Sequence, residues 1–270
     1  MQIVSMQKVH MYLLIIWYGL KSKLTYRLSS VFELAGKFLE ISAQVFIWIT
    51  LLGGGVRFDT TLPQMITYLI IMRVATMLVE STVGGEMQRR IREGSIATDF
   101  SRPINLKGFM FCNDLGNNIF KVMVVMLPIS IVFGFAYNFL LPETGLQLVA
   151  FLISLIIGTF AMFHYNFLLG LISFWLLQNP FIRWHFRNVE QVFSGLFFPI
   201  WFYPVWLANI TLILPFRYFT FEAVSIYLGM TPVDRIGQVL SIQLAWAMGL
   251  YLLSRIVWIR ASKRVIVQGG

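Results

Sequence analysis

Stretches of about twenty or more apolar residues recur along this chain, and they leave little choice of fold. Inside hydrocarbon every backbone N–H and C=O must find a partner within the protein, so runs of this length are expected to be helices. Runs at 31–52, 62–83, 119–141, 146 into the 170s and 235–258 have the required length. A shorter one begins near Val189 and is expected to cross as far as about Phe198. Charged residues make up only 12% of the 270, against about a quarter in a soluble domain, so a sizeable soluble domain is excluded. The expected fold class is an all-α integral membrane protein with six transmembrane helices, the six-span domain covering 31–258.

The flanks set the orientation. Residues 1–30 contain an apolar run of twelve from Val9 to Leu20, too short to cross, bordered by Lys8, Lys21, Lys23 and Arg27. No small-x-small cleavage site follows, so an interfacial helix on the cytoplasmic face, anchored by Trp17 and Tyr18, is preferred to a cleaved signal. Counting Lys and Arg outside the spans puts fifteen on one side and three (Arg57, Arg217, Arg235) on the other. The fifteen-residue side is cytoplasmic by the positive-inside rule, which places both termini there, including a basic tail at 259–270. The expected location is the cytoplasmic (plasma) membrane. The net charge of +9 sits beside apolar spans and fits anionic lipid headgroups better than nucleic acid. The single cysteine, Cys112, precludes an internal disulfide.

Between the second and third spans lies the most polar stretch, GGEMQRRIREGSIATDFSRPINLKGFMFCNDLGNNIFK, residues 84–121. Arg89, Arg90, Arg92, Arg102, Lys107 and Lys121 are set against Glu86, Glu93, Asp99 and Asp114. It is too polar for hydrocarbon and, with Met87, Ile91, Ile96, Phe100, Phe109 and Phe111, too apolar for a disordered tether. The pattern predicts an amphipathic helix, a turn at Gly94-Ser95 and a docking segment broken by Pro103, with 84–118 as a cytoplasmic coupling piece. Arg183, His185 and Arg187 mark a second inner loop at 178–188.

After Val189, Pro199, Pro204 and Pro215 stand among Trp201, Tyr203 and Trp206. A continuous helix does not carry three prolines at this spacing, so 199–217 is expected to be a re-entrant hairpin at the outer face. Charges also fall within the first two spans. Glu33, Lys37 and Glu40 share one helical face, as do Arg73 and Glu80. At about 1.5 Å of rise per residue, Arg73 is level with Glu40, and Glu80 lies between Glu33 and Lys37. Two interhelical pairs are predicted, Arg73 with Glu40 and Lys37 with Glu80, either as bundle ties or as a polar pathway lining. His164 and Asn166 read as interhelical hydrogen-bond partners. There is no phosphate-binding Gly-x-x-x-x-Gly-Lys-Ser/Thr loop, no paired His/Cys spacing for a metal and no nucleophile beside a His base.

Taken in order, four pieces resemble one family: the N-terminal amphipathic helix; Glu93-Gly94-Ser95-Ile96 followed by Pro103; the run Ser194-Gly195-Leu196-Phe197-Phe198-Pro199; and the hairpin framed by Pro204 and Pro215. The chain resembles the permease subunits of type-2 ATP-binding-cassette exporters, in particular the compact six-span branch encoded apart from its ATPase. The charge in the first two spans departs from the more apolar pattern of such permeases. The resemblance implies two permease subunits, identical or sister, with the pathway at their interface. It implies cytoplasmic ATPase subunits that carry ATP and Mg2+, with no cofactor on this chain. These would dock on the coupling segment at Arg89, Arg92, Glu93, Gly94, Ser95 and Pro103, and on the N-terminal helix. The cargo implied is amphipathic or hydrophobic: a drug, a lipid or a peptide-like compound. Two rival readings are an intramembrane transferase built on the Glu40–Arg73 region and a non-transporting scaffold.

Overall fold

A computed structural model describes residues 2–23, 27–54, 60–100, 105–176 and 180–265. Among these the protein is all-α, with no strand. Five helices are long and apolar enough to cross a membrane: Leu28–Gly53, Leu62–Arg92, Leu106–Ala136, Gly145–Phe174 and Val233–Lys263.

The helices in chain order are α1 (Gln2–Lys23), α2 (Arg27–Gly53), α3 (Leu62–Val79), α4 (Val83–Arg92), α5 (Ile96–Phe100) and α6 (Leu106–Lys121). They continue with α7 (Leu127–Ala136), α8 (Gly145–Leu171), α9 (Pro180–Phe193), α10 (Val205–Ile213), α11 (Phe221–Tyr227) and α12 (Val233–Val265). Helix α3 is the centre. It is apolar on every side and buried through Met65–Met72, as expected of a helix surrounded by protein. Helices α2, α6, α7, α8 and α11 pack around it. Thr61 caps its N-terminus, with Pro63 in the first turn where no N–H partner is needed.

The second and third apolar runs differ from their expected bounds. Helix α3 stops at Val79, not 83, because Glu80 turns extended (φ −49°, ψ 138°) before α4 begins. The third helix starts at Leu106, well before the expected 119. Asn105 caps it by accepting the Gly108 N–H at 3.1 Å, and Asp114, Asn118 and Lys121 bond the chain at the end of α3. Immediately before Pro128 this helix widens into a π-turn, Val122–Met126, in which the Leu127 N–H reaches the Val122 carbonyl. A proline removes an i→i−4 bond, and the wider turn accommodates the loss.

The region after α8 also differs. Arg183, His185 and Arg187, expected in a loop, lie on α9, a 14-residue helix whose polar and apolar residues segregate to opposite faces. The segment that follows is broken into short pieces, and each proline opens one. Pro199 precedes the 3-10 turn Ile200–Phe202, Pro204 precedes α10, and Pro215 precedes the 3-10 turn Phe216–Tyr218. Tyr68 at the centre of α3 holds this region by donating its hydroxyl to the Gly195 carbonyl at 2.7 Å. Gly195 itself has φ +77°, which a residue with a Cβ adopts only with strain. Arg217 donates to the buried Glu222 at 2.6 Å and to Thr211 at 3.2 Å.

Two helix pairs, α1 with α6 and α4 with α8, meet backbone to backbone. A Cβ at Gly116 on α6 would stand 2.1 Å from the Ile16 carbonyl oxygen of α1. A Cβ at Gly84 on α4 would stand 2.7 Å from the Asn166 carbonyl oxygen of α8, and one at Gly19 on α1 2.8 Å from that of Asn113 on α6. Thus α1, whose apolar length could not span, is seated against the first turns of the third helix.

Gly116→Leu is expected to detach α1, lower stability by about 1–3 kcal/mol through overpacking, and speed tryptic cleavage after Lys21. Gly36→Leu, with nothing within 4 Å of the new Cβ, is the control and should change neither. Unaltered cleavage in the Gly116 variant would refute the close contact.

Candidate functional site

The polar element after α3 is folded onto the bundle by its apolar face. Val83, Met87 and Ile91 of α4 pack with Ile96, Met110, Phe163, Phe167, Leu171 and Ala261, a second core that joins α4, α5, α6, α8 and α12. The opposite face carries the charges. Arg89 donates to Glu86 at 2.8 Å and to Glu93 at 3.3 Å. Arg90 donates to Glu86 at 2.8 Å and also engages the buried Asp99, which fastens α5 back onto α4. Gly94 (φ +71°) ends α4 in the left-handed conformation that releases the chain into α5. Ser95 accepts the Thr98 hydroxyl at 2.6 Å. Arg92 and Glu93 face solvent. Of the residues expected to dock a partner, Arg89, Arg92, Glu93, Gly94 and Ser95 therefore cluster at one end of α4. Pro103 and Arg102 lie outside the described residues.

The joint between α3 and α4 is held by one face of α6. Asp114 accepts the Ser81 hydroxyl at 2.7 Å, the Thr82 N–H at 3.1 Å and the Thr82 hydroxyl at 2.6 Å. Asn118 donates to the Leu78 carbonyl at 3.0 Å and to that of Glu80. Lys121 donates to Glu80 at 3.2 Å and lies 3.8 Å from Glu33. Arg187 of α9 reaches the other oxygen of Glu80 at 3.3 Å. These contacts satisfy groups that a broken helix would otherwise leave without a partner in the protein. Sequence reading missed this role. The signal was present as three polar residues at i, i+4 and i+7 on a helix with apolar neighbours.

Higher in the bundle, Arg73, 7% exposed, places Nη2 2.7 Å from Glu40 Oε1. The contact is a close charge pair whose angle falls short of a hydrogen bond. The expected partnership of Lys37 with Glu80 does not form. Lys37 donates to Glu40 at 2.7 Å, one turn away on its own helix, and Glu80 is taken by Lys121 and Arg187. A cation three residues along reaches its carboxylate without crossing between helices, and Lys121 stands between Glu33 and Glu80. His164 Nδ1 lies 2.9 Å from Ser254 Oγ on α12, an interhelical contact, whereas Asn166 donates within its own helix to the Met162 carbonyl at 3.2 Å.

Between α3, α4, α8 and α9 is a cavity of about 280 Å³ lined by Glu80, Gln88, Asn166, Arg183, Arg187 and Glu190. Arg183 donates to Gln88 across it at 3.3 Å. Among the described residues no group of three His, Cys, Asp or Glu is placed to hold a metal.

A family model described as ABC-2 family transporter protein matches residues 38–269. No curated protein and no solved structure matches the chain.

A double-mutant cycle tests the Arg73–Glu40 pair. Glu40→Ala strands a guanidinium that cannot lose its charge, and should lower stability by about 2.5–3.5 kcal/mol. Arg73→Ala should cost less, since Glu40 keeps Lys37 and is able to take a proton. The double variant should recover most of the loss in thermal unfolding, because removing both members of a buried pair is often close to neutral. Simple additivity of the two single effects would show that the residues do not interact.

Proposed function

The chain belongs to the ABC-2 family of transporter proteins, and from that premise we propose that it exports an amphipathic or hydrophobic compound using ATP hydrolysed by a partner. As a multi-pass permease of this family its partners are ABC ATPase subunits. In this reading ATP and Mg2+ are bound on those subunits, and a second permease chain, identical or sister, completes the pathway. The membrane is the plasma membrane, with both termini cytoplasmic as the distribution of Lys and Arg favours.

The observation that carries the proposal is the α4–α5 element. Its charged face is exposed at Arg92 and Glu93, and its apolar face is locked into a core shared with α6, α8 and α12. It is also continuous with the central helix through a joint braced from α6. A displacement applied to α4 by a closing ATPase dimer is therefore conveyed to four helices at once, which is what alternating access between inward- and outward-facing states requires. Helix α1, seated on the same end of α6, completes the docking surface.

In the same proposal the chain crosses six times. Five crossings are the long helices. The other begins with α9, about 21 Å long at helical rise and short of the roughly 30 Å of hydrocarbon, and is finished by the turns after Gly195. The proline-broken pieces from Pro199 to Arg217 then form the hairpin at the outer face. On either side of these pieces the chain is held against the bundle, where Tyr68 of α3 binds the Gly195 carbonyl and Gly158 of α8 lies against the Phe219 carbonyl, and α10 between them satisfies its own backbone as a helix. The charged residues of the first two spans serve first as ties between helices, since Arg73 of α3 and Glu40 of α2 form a close charge pair. A chemical step is not needed to explain them.

Replacing Arg92 and Glu93 with Ala is expected to leave assembly and membrane yield unchanged while transport per ATP hydrolysed falls several-fold in reconstituted vesicles. Arg90→Ala, by contrast, removes the Asp99 contact that fastens α5 to α4 and should reduce yield. Unchanged coupling in the Arg92/Glu93 variant would place docking elsewhere on the cytoplasmic face.

A further inference from the structure

A second, larger cavity of about 520 Å³ opens between α6, α8 and α12, apart from the joint and from α9. Its chemistry is divided along its depth. At the end formed by the first turn of α6 and the last turns of α12 stand Lys107 and Arg255. One turn farther along the same helices the walls become aromatic, with Phe111 and Tyr251 joined by Phe160 from α8. Among the described residues no carboxylate lies within ion-pair distance of Lys107 or Arg255. Asp99 reaches the rim, but it is engaged by Arg90. Lys107 is instead poised over ring faces, 4.5 Å from the centroid of Phe167 and 5.9 Å from that of Trp258.

Two cations at one mouth repel each other unless an anion sits between them, and none of the described residues pairs with either. The aromatic inner wall excludes a small hydrated ion as the natural occupant and suits an acyl chain. The basic end of α12 and the start of α6 are on the side with excess Lys and Arg, so the mouth faces the inner-leaflet headgroups. We propose that this cavity binds one anionic phospholipid from the inner leaflet, its phosphate between Lys107 and Arg255 and an acyl chain against Phe111, Phe160 and Tyr251. The site lies within one chain and is independent of the identity of the cargo. A lipid seated there would brace the α6–α8–α12 core on which α4 rests.

Native mass spectrometry of the full chain, with phosphatidylglycerol or phosphatidylcholine titrated into the detergent, tests the proposal. Phosphatidylglycerol should be retained at one per chain and phosphatidylcholine more weakly. The variant Lys107→Gln with Arg255→Gln should lose phosphatidylglycerol affinity by about tenfold or more, as each basic residue near a phosphate contributes roughly a factor of five. Lys107→Arg with Arg255→Lys keeps both charges and should retain binding, which separates the loss of charge from misfolding. Phe160→Ala should weaken binding with the charges intact. Inorganic phosphate at millimolar concentration should not displace the lipid. Equal retention of both lipids, or no change in the Gln variant, overturns the proposal. Displacement by phosphate alone would make this a soluble-anion site and overturn it equally. None of these readings involves the ATPase, so failure here leaves the transport proposal standing, and the reverse holds.

Discussion

The structure depends on how a helix can be interrupted where water is scarce. The central helix ends at Val79 and α4 begins at Val83, and the intervening residues carry carbonyls, N–H groups and hydroxyls with no partner in their own helix. Left bare, each would cost on the order of 1–3 kcal/mol. Helix α6 removes that cost with a single stripe: Asp114 takes the donors of Ser81 and Thr82, Asn118 gives to the carbonyls, and Lys121 neutralises Glu80. The same stripe explains why a polar sequence of this kind is helical from Leu106 and is not a loop. Asp114, Asn118 and Lys121 are bonded within the protein, so the helix has no need to wait for apolar residues before it starts.

Around that brace the described residues form two main cores and a small third one of Ala150, Ile226 and Ile236. The larger surrounds α3 and includes α2, α7, α8, α11 and the proline-broken segment. The smaller lies beneath α4 and α5. Helix α8 belongs to both, and its glycines mark the places where other segments come nearest: Gly158 against the Phe219 carbonyl and Gly170 against Gly84. Exposed apolar residues remain on α2, where Phe32, Leu39, Phe46 and Ile47 find no cover within the chain. A face of this kind is at home against lipid or against another membrane helix.

Much of this was legible in the residues. Apolar run length gave the helices, and proline spacing gave the broken segment after Ser194. Comparing depths by helical rise brought Arg73 level with Glu40, and the two are in contact. The same arithmetic suggested Lys37 with Glu80 and failed there, because rise gives height and says nothing of which way a helix faces. Lys121, at the inner end of the third run, and Arg187, expected in a loop, are the cations that reach Glu80 instead. The start of α6 was missed for a related reason. Asn105 and Gly108 carry a capping pattern, but the run between them and Ile119 was judged by its polarity alone. Whether a polar residue belongs to water or to a neighbouring helix is decided by packing, and one-dimensional pattern does not contain packing. The function was read from the order of several weak motifs, and the family match covers most of the same stretch.

The crossing of α4 over α8 has a mechanical consequence. At Gly84 and Gly170 the two main chains touch with no side chain between them. Interfaces cushioned by long side chains dissipate small displacements through rotamer changes, which take up an ångström or so before the backbone responds. Here there are no rotamers to change. The contact leaves little slack in compression, so a displacement of one helix meets less side-chain freedom that could absorb it. Such a seam behaves less like an adhesive than like a gear tooth, and what it contributes is fidelity of motion more than stability.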